Sequence, residues 1–159
     1  MNQNNGINNN ITAAQVGDRE IVISRVFDAS RELVFDAWTK EEHLVKWWGP
    51  QGFTSTFQTF DLKPGGTWEF VMHSPDGVDF PNIHIFIELV KPERIVFKHD
   101  AFPHFLATAC FEEVDGKTKV TYRTVFEETD ETFEKVKAYA VPGAEQTMDR
   151  LAEHLKSFS

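Results

Sequence analysis

The spacing of apolar residues predicts a strand followed directly by a helix at the start of the folded domain. Ile21, Ile23 and Phe27 fall on one face of an alternating, β-branched run over residues 19–27, which is typical of a strand. In the next eleven residues the apolar positions change to helical spacing, and Ser30 has the position and the side chain of an N-cap.

A second short helix is predicted just before an unusual pair of tryptophans in the segment HLVKWWGPQGFT. Thr39 and Glu42 have the spacing of a capping box, and Gly49-Pro50 should end the helix. Two interpretations of Trp47 and Trp48 are open. The pair packs the corner between the helices and a sheet, or one indole lines the mouth of a cavity.

The middle of the chain predicts an antiparallel meander. Alternating runs are separated by turn signals, among them Pro64-Gly65-Gly66 and Asp115-Gly116, and Asp-Gly between two such runs is a strong hairpin signal. Short turns join antiparallel neighbours, because parallel strands need a long crossover. The predicted strands cover residues 53–62, 67–74, 80–90, 94–100, 105–114 and 117–126.

Residues 129–159 predict a closing helix with one apolar stripe, in which Pro142 breaks or starts an element. A helix of this kind needs an apolar surface to cover, and the sheet is the candidate. The fold class is therefore α+β. The stripe comprises Ala144, Met148, Leu151, Ala152, Leu155 and Phe158.

Composition and charge limit the domain organisation, the partners and the cellular compartment that we expect. Residues 1–17 are Asn-rich and lack the features of a signal peptide, so we expect a disordered tail before a single domain over residues 18–159. The net charge of −9 disfavours nucleic acid and anionic membranes as partners. Cys110 is the single cysteine, which excludes an internal disulfide and favours a cytoplasmic protein.

Five motifs, in this order, carry a family resemblance: WWGPQGFT, DLKPGGTWEF, HSPDG, ELVKPERIVFKH and MDRLAEHL. Over about residues 19–158 the chain resembles bacterial proteins similar to the activator of the heat-shock protein 90 ATPase. The resemblance implies a helix-grip, START-like (SRPBCC) fold. In that fold a curved six- to seven-stranded antiparallel sheet wraps a long C-terminal helix, and two short helices follow the first strand. It leaves function open, because the same fold serves carriers, cyclases, hydrolases and co-chaperones.

Three positions depart from the family pattern. Ala144 stands where the family usually has Trp at the start of the last helix, and His99 stands where it usually has Trp after a strand. His84 replaces a small Gly that is common four residues before the strand Glu. The loss of Trp and the gain of two His suggest a remodelled interior, roomier at one end and more polar at another.

The hairpin around Lys91-Pro92 predicts which of these residues meet. A symmetric loop pairs His84 with His99, Phe86 with Phe97, and Glu88 with Ile95 on one face. We expect this aromatic face to be interior. Glu88 would then be a buried acid or base, or the partner of an arginine, and we favour the second role with Arg94 or Arg123.

No nucleophile or phosphate-loop motif is present, and we predict neither a catalytic residue nor a cofactor. His73 or His104 could add a third ligand to the histidine pair, but zinc sites need firmer spacing than this, so no metal is predicted. The family resemblance leaves a stress-response or chaperone partner open.

The leading hypothesis is a binding protein for a small, mostly apolar molecule held between the sheet and the last helix. The alternatives are a co-chaperone-like module that stimulates a chaperone ATPase, and an enzyme of unknown reaction on the same cavity. A monomer or weak homodimer is expected. The candidate lining residues are Trp68, Phe70, Met72, His84, Phe86, Phe97, His99, Met148 and Leu151.

Overall fold

A computed structural model describes residues 12–158 and shows an α+β fold of the helix-grip type. Its eight-stranded antiparallel sheet has the order β1-β2-β8-β7-β6-β5-β4-β3. No helix in the described part of the chain is both long enough and apolar enough to cross a membrane. The elements are β1 Ala13–Gly17, β2 Glu20–Phe27, α1 Arg31–Thr39, α2 Glu41–Trp47, β3 Thr54–Phe60, β4 Thr67–His73, β5 Asp79–Val90, β6 Arg94–His99, β7 Phe105–Val114, β8 Lys117–Phe126 and α3 Asp130–Lys156.

The two short helices follow β2 as the apolar spacing predicts. Ser30 caps α1, and its Oγ accepts a hydrogen bond from the Leu33 amide at 3.2 Å. The predicted capping box of α2 is wrong. Thr39 is the last residue of α1 and donates its hydroxyl to the Phe35 carbonyl, while Lys40 occupies the N-cap of α2 without a side-chain bond.

The meander from β3 to β8 confirms the predicted strands within a few residues at each end. At the last hairpin, Asp115 and Gly116 both have positive φ, 53° and 79°. Two consecutive left-handed residues give the turn twist that matches two antiparallel strands, and Gly adopts this conformation without a Cβ penalty.

An edge strand extends the sheet beyond the predicted six or seven strands. Ala13–Gly17 pairs with β2 from Ala13 opposite Ser24 to Gly17 opposite Glu20. The predicted disordered tail over residues 1–17 is therefore too long, because residues 13–17 form a strand. Residues 1–11 lie outside the described residues. All five residues of β1 are exposed, so the strand forms by backbone pairing and has no apolar face that the sequence could show.

A bulge in β5 changes the predicted register of the central hairpin. His84 pairs with His99 and Phe86 with Phe97, as predicted, but the register shifts between Phe86 and Glu88. Glu88 consequently lies opposite Val96 rather than Ile95, and it leaves the interior face. Its carboxylate accepts a 2.7 Å bond from Arg94 Nε, which confirms the arginine pairing and lowers the pKa of Glu88.

Helix α3 runs without interruption through Pro142, which was predicted to break or start an element. Proline removes one backbone hydrogen bond inside a helix. The helix persists because a buried stripe on both sides of the proline packs against the sheet. In addition, Arg25 of β2 forms an ion pair with Asp149, with 2.6 Å between the guanidinium nitrogen and Oδ1. The buried residues of α3 are Phe133, Val136, Thr147, Met148, Leu151 and Leu155.

Candidate functional site

A cavity of about 220 Å³ lies between α3 and the inner face of the sheet, beside the loop that follows α2. Its walls are mostly apolar, with a polar cluster formed by Asn82, His84 and His99 on β5 and β6. The other lining residues are Ile21, Ile23, Trp48, Gly49, Pro50, Phe70, Met72, Pro103, Phe105, Tyr122, Thr124, Phe126, Tyr139, Ala140, Gly143, Ala144, Thr147 and Met148.

Five of the nine residues predicted from the sequence line this cavity and four do not. The lining residues are Phe70, Met72, His84, His99 and Met148. The remaining four are fully buried and pack in the core outside the cavity wall, where they support the residues that form it. They are Trp68, Phe86, Phe97 and Leu151.

The two adjacent tryptophans have different roles. The Trp47 indole is buried and donates to the Ala37 carbonyl at 3.0 Å, which fixes α2 against α1. The Trp48 ring lines the cavity, 5.0 Å from the Trp68 ring and 6.2 Å from the His84 ring. Both interpretations of the WW pair are therefore correct, one for each residue.

The backbone beside Trp48 is held by a single guanidinium. Arg150 of α3 donates to the carbonyls of Lys46, Trp48, Gly49 and Pro50 at 3.1–3.4 Å. Carbonyl groups after a helix C-terminus need such partners, and the planar fork of arginine can reach several at once. The loop wall of the cavity is thus tied to the helix wall.

His84 is a buried titratable residue among aromatic rings. Its ring stacks on Phe97 at 4.4 Å and meets the edges of Trp68 and Phe70 at 4.6 and 5.1 Å. Only 2% of the residue is exposed, and Nδ1 has no hydrogen-bond partner in the described part of the chain. Leaving a buried polar atom unpaired costs roughly 1–3 kcal/mol, so stability alone does not account for a histidine here.

His99 is surrounded by hydrogen-bond acceptors. Nδ1 lies 2.7 Å from the Pro103 carbonyl oxygen, and Nε2 lies 2.8 Å from Asn82 Oδ1. The orientation of the Asn82 amide is fixed by its Nδ2, which donates to the Phe80 carbonyl at 2.9 Å. Both ring nitrogens of His99 therefore face oxygen acceptors, and satisfying both requires the protonated ring.

Burial disfavours a positive charge on either histidine. Desolvation, followed by the proximity of His99, lowers the pKa of His84 well below its ordinary value. Desolvation also lowers the pKa of His99, although hydrogen bonds to the carbonyls of Pro103 and Ala101 act in the opposite direction. The site combines a ring whose hydrogen-bond partners favour a cation with buried surroundings that disfavour one.

The small residues of α3 make room for the cavity. Gly143 and Ala144 face it at the level of the loop, where a larger side chain would fill the space. All three departures from the family pattern, at positions 84, 99 and 144, line this one cavity. Their changes in size and polarity therefore act on the same space.

The two histidines that could have added a third metal ligand lie outside the cavity wall. His73 joins Thr56 and Asp79 on the outer surface through 2.8 Å contacts at both ring nitrogens, and His104 pairs with Glu128. Neither joins the histidine pair of the cavity. Across residues 12–158 no group of three or more metal-binding side chains comes together.

Sequence reasoning missed Asn82, Phe105, Tyr122 and Tyr139 as lining residues. Asn82 and Tyr122 could have been found by extending the strand alternation. Asn82 is two residues before His84, and Tyr122 lies between Val120 and Thr124 on the buried face of β8. Burial raises the pKa of Tyr122, so its hydroxyl stays protonated.

A family model described as "Activator of Hsp90 ATPase homolog 1-like protein" matches residues 28–156 of the chain. No curated protein matches the chain.

Solved structures share the fold. A solution structure of a protein from Arthrobacter aurescens has a TM-score of 0.84 at 22% identity and covers 91% of each chain. A protein from Staphylococcus epidermidis gives 0.79 at 25% identity, over 92% of this chain and 95% of its own. The AHSA1 protein from Silicibacter pomeroyi gives 0.73 at 17% identity, over 88% of this chain and 99% of its own.

Proposed function

This chain belongs to the family of activator of Hsp90 ATPase homolog 1-like proteins, and we propose that it is a binding protein for a small, mostly apolar molecule. The observation that carries the proposal is the cavity of about 220 Å³, which is walled by apolar side chains and contains one polar cluster. Binding sites for small molecules have this composition. The volume is below the roughly 300–1,000 Å³ of sites for drug-sized ligands, which favours a compact molecule.

The test is to fill the cavity from α3. Ala144→Trp should be accommodated in the open space, keep the fold and remove binding. Native mass spectrometry of protein purified from cells should show a retained molecule on the wild type and none on this variant.

The matched control is Ala138→Trp, which makes the same change at an exposed position of the same helix. It should retain the molecule. If Ala144→Trp loses ~1–3 kcal/mol of stability, as overpacking of a filled core does, the space is not available and the proposal fails.

One observation favours a second function, a co-chaperone-like module. The outer face of the sheet exposes Ile83, Ile87, Leu106 and Val125, and Leu106 lies directly opposite Val125. Exposed apolar patches often mark protein interfaces. A module of this kind would lose stimulation of a chaperone ATPase in Leu106→Lys and keep it in Ala144→Trp, which is the reverse of the pattern expected for a cavity function.

The net charge of −9 supports a role away from nucleic acid and anionic membranes, as a monomer or weak homodimer, and the single cysteine supports a cytoplasmic location. An enzyme acting in the same cavity would use His84 or His99, since Glu88 lies outside it. Conversion of the retained molecule by the wild type would identify such an enzyme.

A further inference from the structure

Among the described residues, the ionisable groups of the cavity wall are His84, His99, Tyr122 and Tyr139, and none of those lining residues is a carboxylate, lysine or arginine. A cation formed on either histidine would therefore have no counter-charge inside the cavity. Buried charges are ordinarily paired, because an unpaired one loses its hydration without compensation.

The hydrogen bonds of His99 nevertheless require two N–H donors. Its partners, the Pro103 carbonyl and Asn82 Oδ1, are both acceptors, at 2.7 and 2.8 Å. Turning the Asn82 amide over would place its oxygen against the Phe80 carbonyl, which now accepts from Nδ2 at 2.9 Å. Two oxygens would then face each other without a proton between them.

His84 is poised to contact a ligand next to this ring. The two imidazoles are 5.2 Å apart, and His84 is 2% exposed with Nδ1 unpaired among the described residues. The Tyr122 hydroxyl, also on the cavity wall, stays protonated and can donate a hydrogen bond. The polar end of the cavity thus offers hydrogen-bond donors and a histidine that can become positively charged, and no described residue of its wall is negative.

We propose that the molecule bound in this cavity is a weak organic acid, whose carboxylate lies beside His84 and His99 while its apolar part fills the space against α3. This inference rests on the proposed binding function. The carboxylate supplies the missing counter-charge, so binding stabilises the protonated form of His99. One proton is taken up from solution as the complex forms.

Burial has the largest effect on the charge of His99, and the titratable groups around the ring add to it or oppose it. His84 faces the ring from β5, Tyr122 and Tyr139 share the cavity wall from β8 and α3, and His104 and Asp100 lie in the segment after β6. His104 disfavours the cation and Asp100 favours it. Because the pKa of His99 in the free protein is lowered, affinity for an acid should rise as pH decreases from 8.5 towards 6.

The experiment uses three pairs of compounds of equal shape: naphthalene-2-carboxylate, octanoate and 4-phenylbutanoate, each with its neutral primary amide. Calorimetry at pH 6 should show at least one acid binding about tenfold or more tighter than its amide, and tenfold is 1.4 kcal/mol. The advantage should shrink at pH 8.5. Titrations near pH 7 in phosphate and in Tris should give different heats, because a proton is taken up.

His99→Gln should abolish both the preference for the acid and the proton uptake. The matched control is His73→Gln, which changes a histidine on the outer surface, outside the cavity wall, and should leave both unchanged. Amides that bind as tightly as their acids would overturn this inference and leave the binding function intact. If no member of any pair binds, the binding function itself is wrong.

Discussion

At the scale of single residues, the main feature is a polar atom that reduces stability. His84 Nδ1 is unpaired within the described chain, and the ring is surrounded by Trp68, Phe70 and Phe97. A phenylalanine would make similar ring contacts without an orphaned nitrogen. A residue that breaks a rule of core composition in this way marks a functional site more often than a structural one.

His84→Phe should therefore stabilise the protein by ~1–3 kcal/mol at pH 7.5. The gain should increase at pH 5.5. Because burial and His99 lower the pKa of His84, the unfolded chain, with a histidine pKa of ~6.5, binds more protons than the folded one. The free energy of unfolding of the wild type thus falls as pH decreases through about 6.5 towards the folded pKa, and the variant loses this contribution.

Urea unfolding at the two pH values measures the effect. Phe86→Leu serves as the control, since it removes buried contacts but no titratable group and should cost the same at both pH values. A wild type whose stability falls no more steeply than that of His84→Phe between pH 7.5 and 5.5 would contradict the prediction.

The contact between His84 and His99 could be predicted because hairpin pairing is simple arithmetic once the loop is located. Alternation from His84 would have placed Asn82 on the same face, but its contacts with Phe80 and His99 follow from no spacing rule. Nothing in the order of residues indicated that His99 would also face the Pro103 carbonyl. That contact depends on how the chain turns after β6.

At the scale of elements, the sequence predicts the strands and helices that have one apolar and one polar face. It misses the features that depend on backbone pairing. The strands from β3 to β8 followed from alternation and turn residues. The bulge between Phe86 and Glu88 did not, because one extra residue shifts the register without any required side chain. The continuity of α3 through Pro142 was likewise decided by packing on both sides of the proline.

One contact between elements can be tested directly. Arg150 joins α3 to the loop after α2 through four carbonyl groups. Arg150→Lys keeps the charge but provides a single ammonium, which cannot reach all four, so some carbonyls lose their partner. The variant should be destabilised by ~1–3 kcal/mol in thermal or urea unfolding.

The same substitution at Arg123 is the control. That arginine pairs with Glu20 at an exposed site, where an ion pair contributes roughly 0–1 kcal/mol. If Arg150→Lys is no more harmful than Arg123→Lys, then the loop is held by the Trp47 and Trp48 packing alone.

At the scale of the whole molecule, the cavity favours an anion, although the net charge of the chain repels one. The net charge is −9, whereas the part of the cavity wall formed by residues 12–158 carries no negative side chain. An anionic ligand must therefore cross a repulsive long-range field before it reaches histidines that stabilise it at short range. The two effects have different ranges, so salt can separate them.

Association of naphthalene-2-carboxylate should accordingly become faster as salt increases, while its amide associates at a constant rate. Raising ionic strength from about 0.01 to 0.15 M shortens the screening length from roughly 30 to 8 Å, which removes repulsion by distant carboxylates. The contact with the buried histidines is screened much less. Stopped-flow tryptophan fluorescence can follow the reaction, because Trp48 lines the cavity. If the carboxylate associates more slowly at higher salt, a local positive potential at the cavity mouth outweighs the net charge of the chain.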